Sequence, residues 1–108
     1  LLLEGWRRHM DDAVIMEKIC YTIQHLSDLT IINRREFGVV GSIETILRGL
    51  KTHPKNPKVT IAAILALKSL TNQCIENQER FTVTGGPIIL QSIENAPGVW
   101  FSAISEAE

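Results

Sequence analysis

Three histidines, two cysteines and a spread of carboxylates are the side chains with chemical potential in this chain of 108 residues. Tyr21 and His25 stand four residues apart, and Asp28 follows three residues later. On a helix that spacing places the three on one face, where a proton relay would need them. A solvated or partner-binding helix face explains the same spacing with fewer assumptions. Asp11 and Asp12 are adjacent, and neighbours on a helix do not face each other, so they form no acid–base pair. Their natural place is the start of a helix, where negative charge is favourable. His9, His25, His53, Cys20 and Cys74 match no zinc-ligand spacing. The stretch Thr84-Gly85-Gly86 lacks the lysine and the preceding strand of a phosphate loop. The sequence therefore points to no catalytic residue, no cofactor and no metal. An enzyme of unknown class is the second alternative reading, and a metal or cofactor bound tightly enough to appear in mass spectrometry would favour it.

The composition sets the frame around these residues. Apolar residues make up 44% and charged residues 21%, which is ordinary for a globular domain. The formal net charge of −1 gives no basic excess for gripping phosphates, so no nucleic-acid partner is expected. No apolar run approaches the roughly 20 residues of a membrane span. Two cysteines in apolar stretches suit reduced, buried thiols better than a disulfide framework. The expected location is intracellular, cytoplasmic or nuclear.

The elements that must position everything else are announced by a repetition. "NRREFGVVGSIETIL" from Asn33 is echoed by "NQERFTVTGGPIIL" from Asn77, an offset of 44 residues. At the same offset Leu3, Gly5 and His9 fall on Leu47, Gly49 and His53, while Leu26 and Ile31 fall on Leu70 and Ile75. A period of about 40–47 residues with helical patterning signals a helical repeat array.

Each period carries three helices. A short first helix is predicted from Asn33 to Val40, with Asn33 as its cap and Glu36 completing a capping box. Gly41 ends it. A second helix is predicted from Ser42 to Thr52, with Ile43, Ile46, Leu47 and Leu50 at helical spacing. "HPKNP" breaks the chain. A third helix is predicted from Pro57 to Asn72, its apolar stripe being Val59, Ala63, Ala66, Leu67 and Leu70. One period earlier the stripe reads Ile15, Ile19, Thr22, Ile23 and Leu26. "RFTVT" from Arg80 is the nearest candidate for a strand, and the repeat register assigns it to a short helix.

"GSIETILRGL", "VTIAAILALKSLT" and "NQERFTVTGG", in this order, resemble the armadillo-repeat family, with HEAT repeats as the neighbouring class. The resemblance implies an all-α, right-handed superhelical solenoid over residues 1–108. Its units are 1–32 in part, 33–76 complete and 77–108 in part. It also implies a non-enzymatic protein-interaction module or scaffold whose concave face is lined by third helices.

Turning 100° per residue away from the core stripe gives the outward positions of those helices. They are Glu17, Tyr21, Gln24 and Asp28 in one, and Ile61, Leu65, Lys68 and Asn72 in the other. Peptide-carrying members of the family use a ladder of Trp and Asn here, at positions matching Tyr21 and Leu65 for Trp and His25 and Ser69 for Asn. This chain keeps neither rung. The expected partner is therefore a protein or peptide held through Glu17, Tyr21, His25, Ile61, Leu65, Lys68, Ser69 and Asn72, with apolar contact centred on Ile61 and Leu65. Leu1, Leu2, Leu3 and Trp6 at one end, and Trp100, Phe101 and Ile104 at the other, suggest uncapped ends. These support the first alternative, an assembly role through end-to-end association. The opposing expectation is that the same residues fold back on the stack.

Overall fold

Helix α1 begins where Asp12 supplies an oxygen to two backbone N–H groups that the helix itself leaves open. In the computed structural model, which describes His9 and residues 11–93, Asp12 Oδ1 accepts from Val14 N at 3.0 Å and from Ile15 N at 3.2 Å. The helix runs Ala13–Leu29 and stops at Thr30, whose backbone is extended at φ −149°. The apolar ends formed by Leu1–Trp6 and Trp100–Ile104 lie outside the described residues.

Thr30 also starts the next helix. Its Oγ1 accepts from Asn33 N at 3.0 Å, and α2 runs Ile31–Val39. The cap expected at Asn33 is thus at Thr30, three residues earlier. The β-branched threonine closes α1 and opens α2 in one step, which leaves the Asn33 side chain for another task. Gly41 follows with φ 92°, a conformation that costs glycine no steric clash. It turns the chain into α3, Ser42–Thr52, which has the predicted bounds and buries Ile43, Ile46, Leu47 and Leu50.

His53 to Asn56 form the break. Asn56 then caps α4, Pro57–Thr71, by accepting from Lys58 N at 3.1 Å and from Val59 N at 3.2 Å. Proline at the first helical position loses no hydrogen bond. Helix α5, Ile75–Val83, includes the "RFTVT" stretch and bears out its helical assignment. Helix α6 is Gly86–Gln91. All six elements are α-helices, with no strand among the described residues, and they enclose a single apolar core.

Several local features recur 44 positions apart. Asp12 and Asn56 make the same pair of cap bonds. Gly41 and Gly85 share a positive φ, at 92° and 81°. Asn33 Nδ2 donates to Leu26 O, and Asn77 Nδ2 donates to Leu70 O, both at 2.8 Å. Arg34 Nε donates to Ser27 O, and Gln78 Nε2 donates to Thr71 O, again both at 2.8 Å. Each of the last four bonds satisfies a carbonyl near the C-terminal end of a long helix, where no intrahelical partner exists.

The core centres on α4. Val59, Ala63, Ala66, Leu67 and Leu70 are buried as expected, and Thr60, Ala62 and Ile64 join them. The small alanines let α1 and α3 approach it closely, and α1 with α4 forms the most extensive helix–helix contact. The stripe expected on α1 is rotated from the observed one. Met16, Cys20, Ile23 and Ser27 are buried, whereas Ile15 and Ile19 are half-buried, Thr22 is exposed and Leu26 is 37% exposed. One residue of shift turns a helix by about 100°. The cause is the different surroundings of the two helices. Among the described residues, α4 is packed by α1 and α3 together, while α1 is packed chiefly by α4 and α2.

Candidate partner-binding face

The residues singled out from the sequence lie on α1 and α4, with Asn72 just past the end of α4, and these two helices pack closely against each other. On α4, Ile61 is 51% exposed, Leu65 is half-buried and Lys68 is exposed, and Asn72, where the helix ends one residue short of the expected bound, is exposed as well. On α1, Glu17 and Tyr21 are half-buried and His25 is exposed. Tyr21 also rests its ring against the core cluster. Such a residue has little freedom to lose when a partner arrives, and aromatic groups of this kind are frequent centres of interface energy.

Ser69 departs from this group. It is 8% exposed and belongs to the buried set, because the contact surface of α4 is wide enough to reach it. Tyr21, His25 and Asp28 share a helix face, but no hydrogen bond or ion pair joins them. Nothing in their arrangement forms a relay.

Both cysteines are free and buried. Burial pushes the Cys20 thiol from 9.0 up to about 12, so its nucleophilic thiolate is suppressed at neutral pH. No group of three or more potential metal ligands converges among the described residues. No helix among the described residues is long and apolar enough to cross a membrane.

A concave surface elsewhere on the molecule was not foreseen from the sequence. Leu26, Asn33, Glu36, Phe37 and Val40 line a groove of about 210 Å³ between the end of α1 and α2. The helical pattern assigns Leu26 to the core stripe and Asn33 to a helix cap, whereas Leu26 is 37% exposed and the Asn33 amide donates to Leu26 O. The recurrence of Leu26, Asn33 and Phe37 as Leu70, Asn77 and Phe81 was the available signal. It marks a shared role, and the structure places one set at the surface and the other inside.

No family model matches the chain, and no curated protein or solved structure matches it at a significant level.

Proposed function

We propose that the chain is a protein-interaction module of armadillo-like design, binding a partner protein or peptide through the adjoining faces of α1 and α4. The observation that carries this reading is Ile61. It is a large aliphatic residue, 51% exposed, on the outward side of a helix that buries most of its residues, with Leu65 one turn away and Tyr21 on the adjacent helix. Burying such side chains on association gains roughly 25 cal/mol per Å² of apolar area, and a few central ones supply most of an interface. Support for the armadillo-like arrangement comes from the cap and carbonyl bonds that recur at 44 residues. A helical unit that repeats its end chemistry is built to stack on neighbours of its own kind.

Site-specific photo-crosslinking tests the reading. A photoreactive residue at position 61 is expected to trap a discrete partner, and the same group at exposed Arg48 on α3 is not. Equal trapping at both positions, or none at 61, would contradict it.

A further inference from the structure

The groove at Leu26, Asn33 and Phe37 has an occupied counterpart inside the same molecule, and that counterpart describes what fits it. Around Leu70, Asn77 and Phe81 the seat is filled by α2. Asn77 Nδ2 donates to Leu70 O and to Arg34 O, both at 2.8 Å. A side-chain carbon at Gly38 would collide with the Asn77 amide, so the backbone of α2 lies directly on it. Arg34 Nη1 reaches Asn72 O at 3.0 Å, and Arg35 Nε pairs with Glu76 at 3.5 Å.

At the open seat, Asn33 Nδ2 makes the equivalent inner bond to Leu26 O. The second bond, to a neighbouring helix, has no counterpart among the described residues, and Phe37 and Asn33 remain half-buried. Three substitutions change the chemistry around it. Glu36 stands where Arg80 donates to Asn77 Oδ1 at 2.9 Å. Ile32, 62% exposed, stands where Glu76 pairs with Arg35. Asp28 stands in place of Asn72.

We infer that this groove docks a helix of a partner protein bearing a basic residue, an apolar residue directly after it, and a glycine four residues after the basic one. The basic side chain meets Asp28, as Arg34 reaches position 72 in the occupied seat. The apolar one covers Ile32, Glu36 flanks the glycine as Arg80 flanks Gly38, and the glycine lets the partner's backbone carbonyl reach Asn33 Nδ2. A second copy of this chain does not fit through α5. At the matching positions α5 carries Glu79, which would set a carboxylate on Ile32, and Thr82, whose side chain occupies the space that glycine leaves open. Of the outward positions of α1 the inference uses only Asp28, at the end of the helix, and it stands apart from the function proposed for the α1–α4 face.

The test uses a stapled helical peptide containing Arg-Leu-Ala-Gln-Gly, fluorescently labelled, with binding to the whole chain followed by anisotropy. The peptide is expected to bind, and glycine-to-valine replacement in it to weaken binding by about tenfold or more, as overpacking at a backbone contact does. Ile32→Asp and Asp28→Lys, both at exposed positions, are each expected to weaken binding while the circular dichroism spectrum stays unchanged. Failure of the parent peptide to bind, equal affinity of the glycine and valine peptides, or indifference to both protein variants would overturn the inference. So would concentration-dependent self-association abolished by Ile32→Asp, which would assign the groove to a second copy.

Discussion

The Asn77 side chain donates 2.8 Å hydrogen bonds to two carbonyls at once, Leu70 O at the end of its neighbouring helix and Arg34 O, 43 residues away in sequence. Asn77 is fully buried, so water does not replace either bond when the amide is lost. Asn77→Ala is expected to cost about 2–4 kcal/mol in urea denaturation, as two acceptors lose their donor. Asn33→Ala removes one such bond at a half-buried site and is expected to cost about 1 kcal/mol. Equal costs at the two positions would show that the inter-helix bond adds nothing.

The same contact constrains Gly38. Its backbone rests on the Asn77 amide and near the Arg80 guanidinium, leaving no room for a side chain. Gly38→Val is expected to destabilise the chain by about 1–3 kcal/mol through overpacking. Thr82→Ala, 44 residues on and exposed, is expected to stay within about 0.5 kcal/mol of the parent. Thermal melts of the two variants check both.

Leu26 and Leu70 hold the same place in the 44-residue register but differ in environment. Leu70 is fully buried and Leu26 is 37% exposed. Leu70→Ala is expected to cost about 2–5 kcal/mol by opening a cavity. Leu26→Ala is expected to cost about 1 kcal/mol or less, since its neighbours and water fill the space. Denaturant midpoints of the pair, measured together, separate the two cases.

Cys20 gives a pH signature. Its thiol is held protonated by burial, with a pKa raised from 9.0 to about 12. Below about pH 9 both folded and unfolded chains keep the proton, and the thiol's contribution to stability is fully present. As pH rises from 9.0 towards 12, the unfolded chain ionises first and that contribution is lost. The stability difference between the parent and Cys20→Ala is therefore expected to shrink across that window and to hold constant below it. A constant difference throughout would contradict the burial argument. Under native conditions Cys20 is also expected to react with thiol reagents only as fast as the chain unfolds.

Much of the helical plan was legible in the residues. The run from Ser42 to Thr52 between Gly41 and "HPKNP" gave α3 its bounds, because glycine and proline act locally and act strongly. The alanine-rich stripe of α4 was read correctly for the same kind of reason, since its burial follows from composition. The stripe of α1 was misread by one residue. Transferring it through the 44-residue offset assumed that α1 and α4 have equivalent neighbours, and their packing differs. The cap of α2 differs from the expected one because propensity ranks Asn33 above Thr30, while in the structure Thr30 Oγ1 takes the cap bond and the Asn33 amide donates to Leu26 O. Ser69 enters the binding face only through the armadillo resemblance, yet the width of a buried helix face is a tertiary property, and Ser69 falls within it. The seat around Leu26 and Asn33 was hidden because identical residues in a register serve opposite surroundings.

Binding through the α1–α4 face is the central claim, and one comparison tests it most directly. Once a partner has been trapped at position 61, its affinity for the parent chain and for the double variant Ile61→Ser, Leu65→Ser is to be measured by titration calorimetry. Circular dichroism, and the single variant at the more exposed Ile61, serve as folding controls. The account predicts that the double variant remains helical and binds weaker by about 2 kcal/mol or more, roughly a thirtyfold change. A folded double variant that binds with unchanged affinity would contradict it.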